Sequence, residues 1–216
     1  MSTLSIPGGS FNDSLHEYRD DKGVWVPSLT QIISLCGLSN GYGGAAPEVL
    51  QNAARRGSEI HWLACSWARY GDVDPSLVTE EVLPYFESYK KFLSETGFVP
   101  DPDWIESPMV ATVNGLSFGV TADVIGVRKP TPTVVELKTT AAESKAWSVQ
   151  TMGQAIGRFG LHGAGQAKRM VVQLKNDGKY RCFVYENYAY DCSIFLAALS
   201  LVHWRLKHGQ RLWEVA

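Results

Sequence analysis

The chain reads as an α/β fold in which a central mixed β-sheet is flanked by helices. Three observations predict it. Apolar residues recur at helical spacing before about residue 97, short β-branched segments follow from about 104 to 139, and helical spacing then returns on either side of a strand–turn–strand unit. With 216 residues, 45% hydrophobic and 19% charged, the chain is most simply one domain with a core that needs no crosslinks.

Residues 1–23 are polar and turn-rich. A helix is predicted after Pro27-Ser28, with Gly37 near its stop, and the glycine-rich run at 39–44 leads to Ala46-Pro47. From Pro47 to about Tyr70 the apolar spacing is helical, and Asp74-Pro75 opens a further segment. An amphipathic helix should begin near residue 82, accept Pro84 in its first turn and end at Gly97. After Pro100 the texture changes to strands at 104–113, 116–128 and 132–139, divided by Asn114-Gly115 and Lys129-Pro130. Asn-Gly between two strand-like runs is a strong hairpin signal. Helical spacing returns from Ala146 to Gly160, followed by a hairpin around Asn176-Asp177-Gly178 and a closing helix over 190–208. The single domain 1–216 thus divides into a helical part at about 24–97 and a sheet-and-helix core at about 104–208.

Net charge is −2, which argues against indiscriminate coating of nucleic acid, but its distribution is uneven. Between Asp72 and Glu106 nine acids face only Lys90 and Lys91. Between Lys145 and Arg181 seven basic residues face Asp177 alone, an asymmetry able to aim a polyanion at one side. Cys36, Cys65, Cys182 and Cys192 form no CxxC pair and read as small, buried side chains in a reducing compartment. No apolar run has membrane-spanning length and the start has no secretion signal, so the expected location is the cytoplasm, or a host's cytoplasm for a viral gene.

The chemistry centres on Asp123 and the run VVELK at 134–138. A period of two puts Glu136 and Lys138 on one face of their strand and Leu137 on the other. Asp123 lies between Val120 and Val124, where an uncompensated carboxylate is costly and calls for a cation, hydrogen bonds or water. Two such acids repel unless a divalent ion lies between them, and that ion would also act as a Lewis acid. Taken alone, Glu136-Leu137-Lys138 reads first as an alternating ion pair facing solvent at a strand end.

The wider pattern is more specific. Asp123, Glu136-Leu137-Lys138-Thr139 and Gln150 in the following helix resemble the PD-(D/E)xK nuclease superfamily, in its RecB-like and lambda-exonuclease-like branch, over most of the chain. The resemblance implies a restriction-endonuclease-like core and metal-dependent hydrolysis of DNA. It makes Asp123, Glu136, Lys138 and Gln150 catalytic, and His61 (in Gly57-x-x-x-His61), Asp123, Glu136 and the Leu137 carbonyl ligands of one or two Mg²⁺ or Mn²⁺ ions. Glu106 resembles an upstream acid acting on the substrate side through water or metal. Ala122 stands where the motif name has proline, and Gln154 where a tyrosine is common. Gln150, Gln154 and Arg158 recur at helical spacing as one polar stripe, and Lys145, Gln154 and Arg158 are substrate-binding candidates. Trp147 is expected to pack on the sheet rather than stack on a base.

An exonuclease of phage or bacterial recombination and repair is the reading this resemblance favours. An endonuclease on the same site and an idle, nuclease-like DNA-binding or scaffolding protein are the alternatives. DNA is the implied partner, with a single-strand annealing protein or a helicase as companion, since the chain has no P-loop of its own. A trimer and a monomer are both compatible with it.

Overall fold

The computed structural model describes residues 3–39 and 46–210, so the run at 39–44 lies outside it apart from Ser39. Its centre is a five-stranded mixed sheet of β5 (Phe98–Val113), β6 (Leu116–Arg128), β7 (Thr131–Lys138), β8 (Lys168–Leu174) and β9 (Tyr180–Val184), in that spatial order. All neighbours are antiparallel except β7 and β8. A parallel pair needs a crossover, supplied here by α4 (Ala146–Ala164).

Helices cover both faces. On one side α1 (Leu29–Leu35), α4 and α5 (Tyr188–Lys207) bury Leu29, Ile32, Met152, Ile156, Phe195 and Leu199 against Phe118, Val120 and Val134. On the other, α2 (Pro47–Tyr70) and α3 (Leu83–Thr96) bury Ile60, Leu63, Tyr89 and Phe92 against Val124, Val135, Leu137 and Val172. In β7 the sequence period of two is visible directly, since Val134 belongs to one core and Val135 and Leu137 to the other. The expected central mixed sheet flanked by helices is therefore what forms.

Local signals behave as their chemistry requires. Ser28 caps α1 in a reciprocal box with Gln31, and Gly37 (φ 66°) follows the helix end. Asn114 (φ 52°) and Gly115 (φ 77°) both take the left-handed conformation that a two-residue hairpin turn demands. Among the described residues, no helix is long and apolar enough to cross a membrane.

Three elements differ from expectation. The polar stretch at the N-terminus forms an antiparallel meander of β1 (Thr3–Ile6), β2 (Gly9–Asn12), β3 (Glu17–Asp20) and β4 (Trp25–Val26). Its strands are too short to show alternation; contact with the central sheet holds them, through Phe11, Tyr18 and Val26 on Val110. Strand β5 begins at Phe98 rather than 104, running through Pro100 and Pro102 with a register shift between Pro100 and Ile105. Helix α4 continues beyond the expected stop at Gly160, which has non-helical φ and ψ and joins two helical pieces.

The β5–β6 ribbon carries Glu106 and Asp123, and its geometry sets where those acids can go. Strand β7 pairs with β6 only from Val124 to Arg128, so the ribbon overhangs the sheet from Asp123 to its tip. The meander clamps this overhang: Val110 N–H donates to Pro7 O and Gly119 N–H to Pro27 O, both at 2.9 Å. Tyr18 lies against Gly119, where a Cβ would come within 2.1 Å of its ring, and its hydroxyl is 2.7 Å from Thr121 Oγ1.

Candidate active site

Asp123 sits where β7 parts from β6. The last paired residues are Val124 and Val135; beyond them Leu137 N–H donates at 2.7 Å to Asp123 Oδ2 instead of to a neighbouring backbone carbonyl. Strand β6 is irregular at this point. Phe118, Val120 and Ala122 belong to the core under α4, yet Val124, two residues on, belongs to the core under α2. The partner strand is irregular as well, since Glu106 has φ 44°. Such a fork lets side chains from both helical layers reach one place.

Helix α2 contributes His61. Its Nε2 lies 2.8 Å from Leu137 O and 3.5 Å from Asp123 Oδ2, while Nδ1 lies 3.7 Å from Glu106 Oε1. His61, Glu106 and Asp123 each offer a ligand atom within 4.8 Å of the others. Gly57, one turn earlier, faces Thr139, and a Cβ there would make only an ordinary 3.5 Å contact.

From the other layer, Glu136 is 3% exposed and fully engaged. Its Oε1 accepts from Lys138 Nζ and Gln150 Nε2, and its Oε2 from Gln154 Nε2, each at 2.6 Å. Burial works to raise the Glu136 pKa, but Lys138, His61 and the bond from Gln154 outweigh it and hold the group below the ordinary glutamate value. Asp123 goes the other way. Burial and the neighbouring charge of Glu136 push it up to about 7, against the pull of His61 and Lys138. Burial alone would depress His61, but Asp123, Glu106 and Glu136 raise it to about 10. The two acids thus differ in kind: one is saturated with donors, and the other is short of positive charge.

The fold brings some of the sequence-derived candidates together and separates others. Asp123, His61 and the Leu137 carbonyl converge, and Glu106, grouped with the substrate contacts, joins them. Glu136 lies outside the triad of mutually close ligand atoms and is bonded instead to Lys138 and α4. Gln150 donates to Glu136 Oε1 at 2.6 Å. Gln154, grouped with the substrate contacts, is 1% exposed and bonded to Glu136, because the helical stripe faces the sheet and not solvent. Arg158 stacks its guanidinium 3.5 Å from the Trp104 ring centroid, and Lys145 is exposed at the N-cap of α4. Trp147 packs edge-on against Phe183. Arg169, counted in the basic run, is buried against Asp191 at 2.9 Å and so is withdrawn from any charged face.

Sequence reasoning passed over Cys65. Its thiol approaches Glu106 Oε1 at 3.8 Å and Asp123 O at 3.7 Å, and burial with those two acids nearby raises its pKa and keeps it protonated. The signal was present, since His61, Cys65 and Arg69 recur every four residues along α2, and Arg69 donates to Ile105 O.

The donor set suits a hard divalent cation. Two carboxylates and a carbonyl are oxygen ligands of the kind Mg²⁺ and Mn²⁺ take, and one imidazole favours Mn²⁺. The cluster already attracts positive charge, with His61 Nε2 held between Leu137 O and Asp123 Oδ2.

No family model matches the chain, and no curated protein matches it. Among solved structures it is similar to an alkaline exonuclease (LHK-Exo) from Laribacter hongkongensis, with 15% identity, a TM-score of 0.38, and coverage of 85% of this chain and 92% of that one.

Proposed function

We propose that the chain is a divalent-metal-dependent nuclease, an exonuclease acting on DNA ends in recombination or repair. The observation that carries the reading is the convergence of His61, Glu106, Asp123 and the Leu137 carbonyl at a sheet fork, beside a buried Glu136–Lys138 pair.

In this reading His61, Glu106, Asp123 and Leu137 O hold the ion. A divalent ion there supplies Lewis-acid stabilisation of charge on phosphate oxygens and makes water more acidic. The chain's own residues do the rest. Lys138, its side chain 24% exposed, reaches from the buried carboxylate toward solvent, where it meets the scissile phosphate and orients the attacking water. Glu136 keeps that ammonium aimed, with Gln150 bracing the same oxygen. His61 gives up its proton on ligation, so ion binding releases protons.

End-labelled linear and closed circular DNA, single- and double-stranded, incubated with Mg²⁺ or Mn²⁺ tests the proposal. Stepwise shortening of linear DNA with circles intact is expected, and K138A should lose about 10²–10³ in rate while keeping its fold. Cutting of closed circles would replace the exonuclease with an endonuclease. Unchanged K138A activity would reject the role given to Lys138, and inertness of the wild type with both ions would leave the scaffold reading.

A further inference from the structure

Gln154 stands where the resemblance has a tyrosine, and the folded chain gives it a different task from meeting substrate. Its Nε2 donates to Glu136 Oε2 at 2.6 Å, while Gln150, one turn earlier, donates to Oε1 at 2.6 Å. The carboxylate is thus gripped at both oxygens by amides of one helix, with Lys138 sharing Oε1. A carboxylate held at one oxygen can turn about its terminal torsion, whereas donors at both oxygens remove that freedom.

Packing gives no reason for an amide at this position. Residue 154 is 1% exposed, and Gln154 Oε1 is buried with no hydrogen-bond partner among the described residues. A methionine of the same length would fill the space without an unpaired acceptor, losing only the donor to Glu136 Oε2. What the amide adds is its bond to Glu136.

We infer that Gln154 is a positioning residue that locks the orientation of Glu136, so that Oε1 stays on Lys138 and the carboxylate keeps a fixed relation to Asp123. It acts through Glu136 and touches neither substrate nor ion. The inference rests on the nuclease reading.

Q154M tests it by keeping the length and removing the amide, with Q154L as a second variant. Mn²⁺ binding by calorimetry, melting, and steady-state hydrolysis of end-labelled linear DNA are compared with wild type. Both variants should stay folded and melt a few degrees lower, because buried Glu136 Oε2 loses its donor. Their kcat should fall about 10- to 100-fold and their Mn²⁺ affinity weaken by about 10-fold, with KM for DNA unchanged. A raised KM with kcat intact would overturn the inference, since that is the signature of a substrate contact. Wild-type kcat and Mn²⁺ affinity, with or without a melting loss, would overturn it as well, as would failure of both variants to fold. A wild type that neither binds Mn²⁺ nor hydrolyses DNA removes the nuclease reading and this inference together; binding and cutting by wild type and Q154M alike removes the inference alone.

Discussion

Replacing Asp123 with asparagine should stabilise the metal-free protein at alkaline pH while abolishing its response to a divalent ion. Asp123 is 8% exposed, and burial together with Glu136 lifts its pKa from 3.8 to about 7. A carboxyl with a raised folded-state pKa binds its proton more tightly in the fold. Its favourable contribution is complete below the unfolded value and is lost as the pH climbs through about 7. At about 1.36 kcal/mol per unit, that gap sets a ceiling of about 4 kcal/mol. Two features of the site reduce it. His61, raised to about 10 against the effect of burial, loses the attraction of Asp123 in the variant. Asparagine keeps an acceptor for Leu137 N–H, so no backbone donor is orphaned and nothing is gained there. A net gain of about 2 kcal/mol near pH 8.5 is expected, or about 4–8 °C in Tm for a chain of this size. The gain should shrink by pH 5 and vanish below 3.8, where Asp123 carries its proton in both the folded and the unfolded chain. Mn²⁺ at about 100 times its Kd should then raise wild type by about 2.7 kcal/mol and D123N by nothing, so the order of stabilities crosses. Thermal melts in chelator and in Mn²⁺ at the two pH values are sufficient. If D123N is the less stable protein in chelator at pH 8.5, the acid serves the fold, and the reasoning from its burial fails.

Two further predictions concern the scaffold. R169M should cost about 3–5 kcal/mol by leaving Asp191 buried without its charged partner, while R169M/D191L should recover most of the loss in urea titrations. A single variant as stable as wild type would refute the assignment. G119A should cost about 2–4 kcal/mol, because the new Cβ would meet the Tyr18 ring, and should open the N-terminal meander first. Limited proteolysis reads this out, and cleavage elsewhere ahead of residues 3–26 would count against it.

Legibility differed by element for physical reasons. Helices α1, α3 and α5 and the Asn114-Gly115 hairpin rest on caps, periodicity and turn residues within a few positions of one another, so local sequence carries them. The meander was not legible, because its four short strands depend on Val110 and Gly119, far along the chain. Cys65 was overlooked for the same reason, since its meeting with Glu106 is a contact between α2 and β5.

The amino-acid sequence alone determined the α/β class and the pairing of Glu136 with Lys138, since both follow from periods of two and 3.6 along a continuous stretch. Only the tertiary structure decided which acid is short of positive charge and which is saturated. That difference comes from the fork between β6 and β7 and from the face α4 turns to the sheet, and neither is a property of neighbouring residues in the chain.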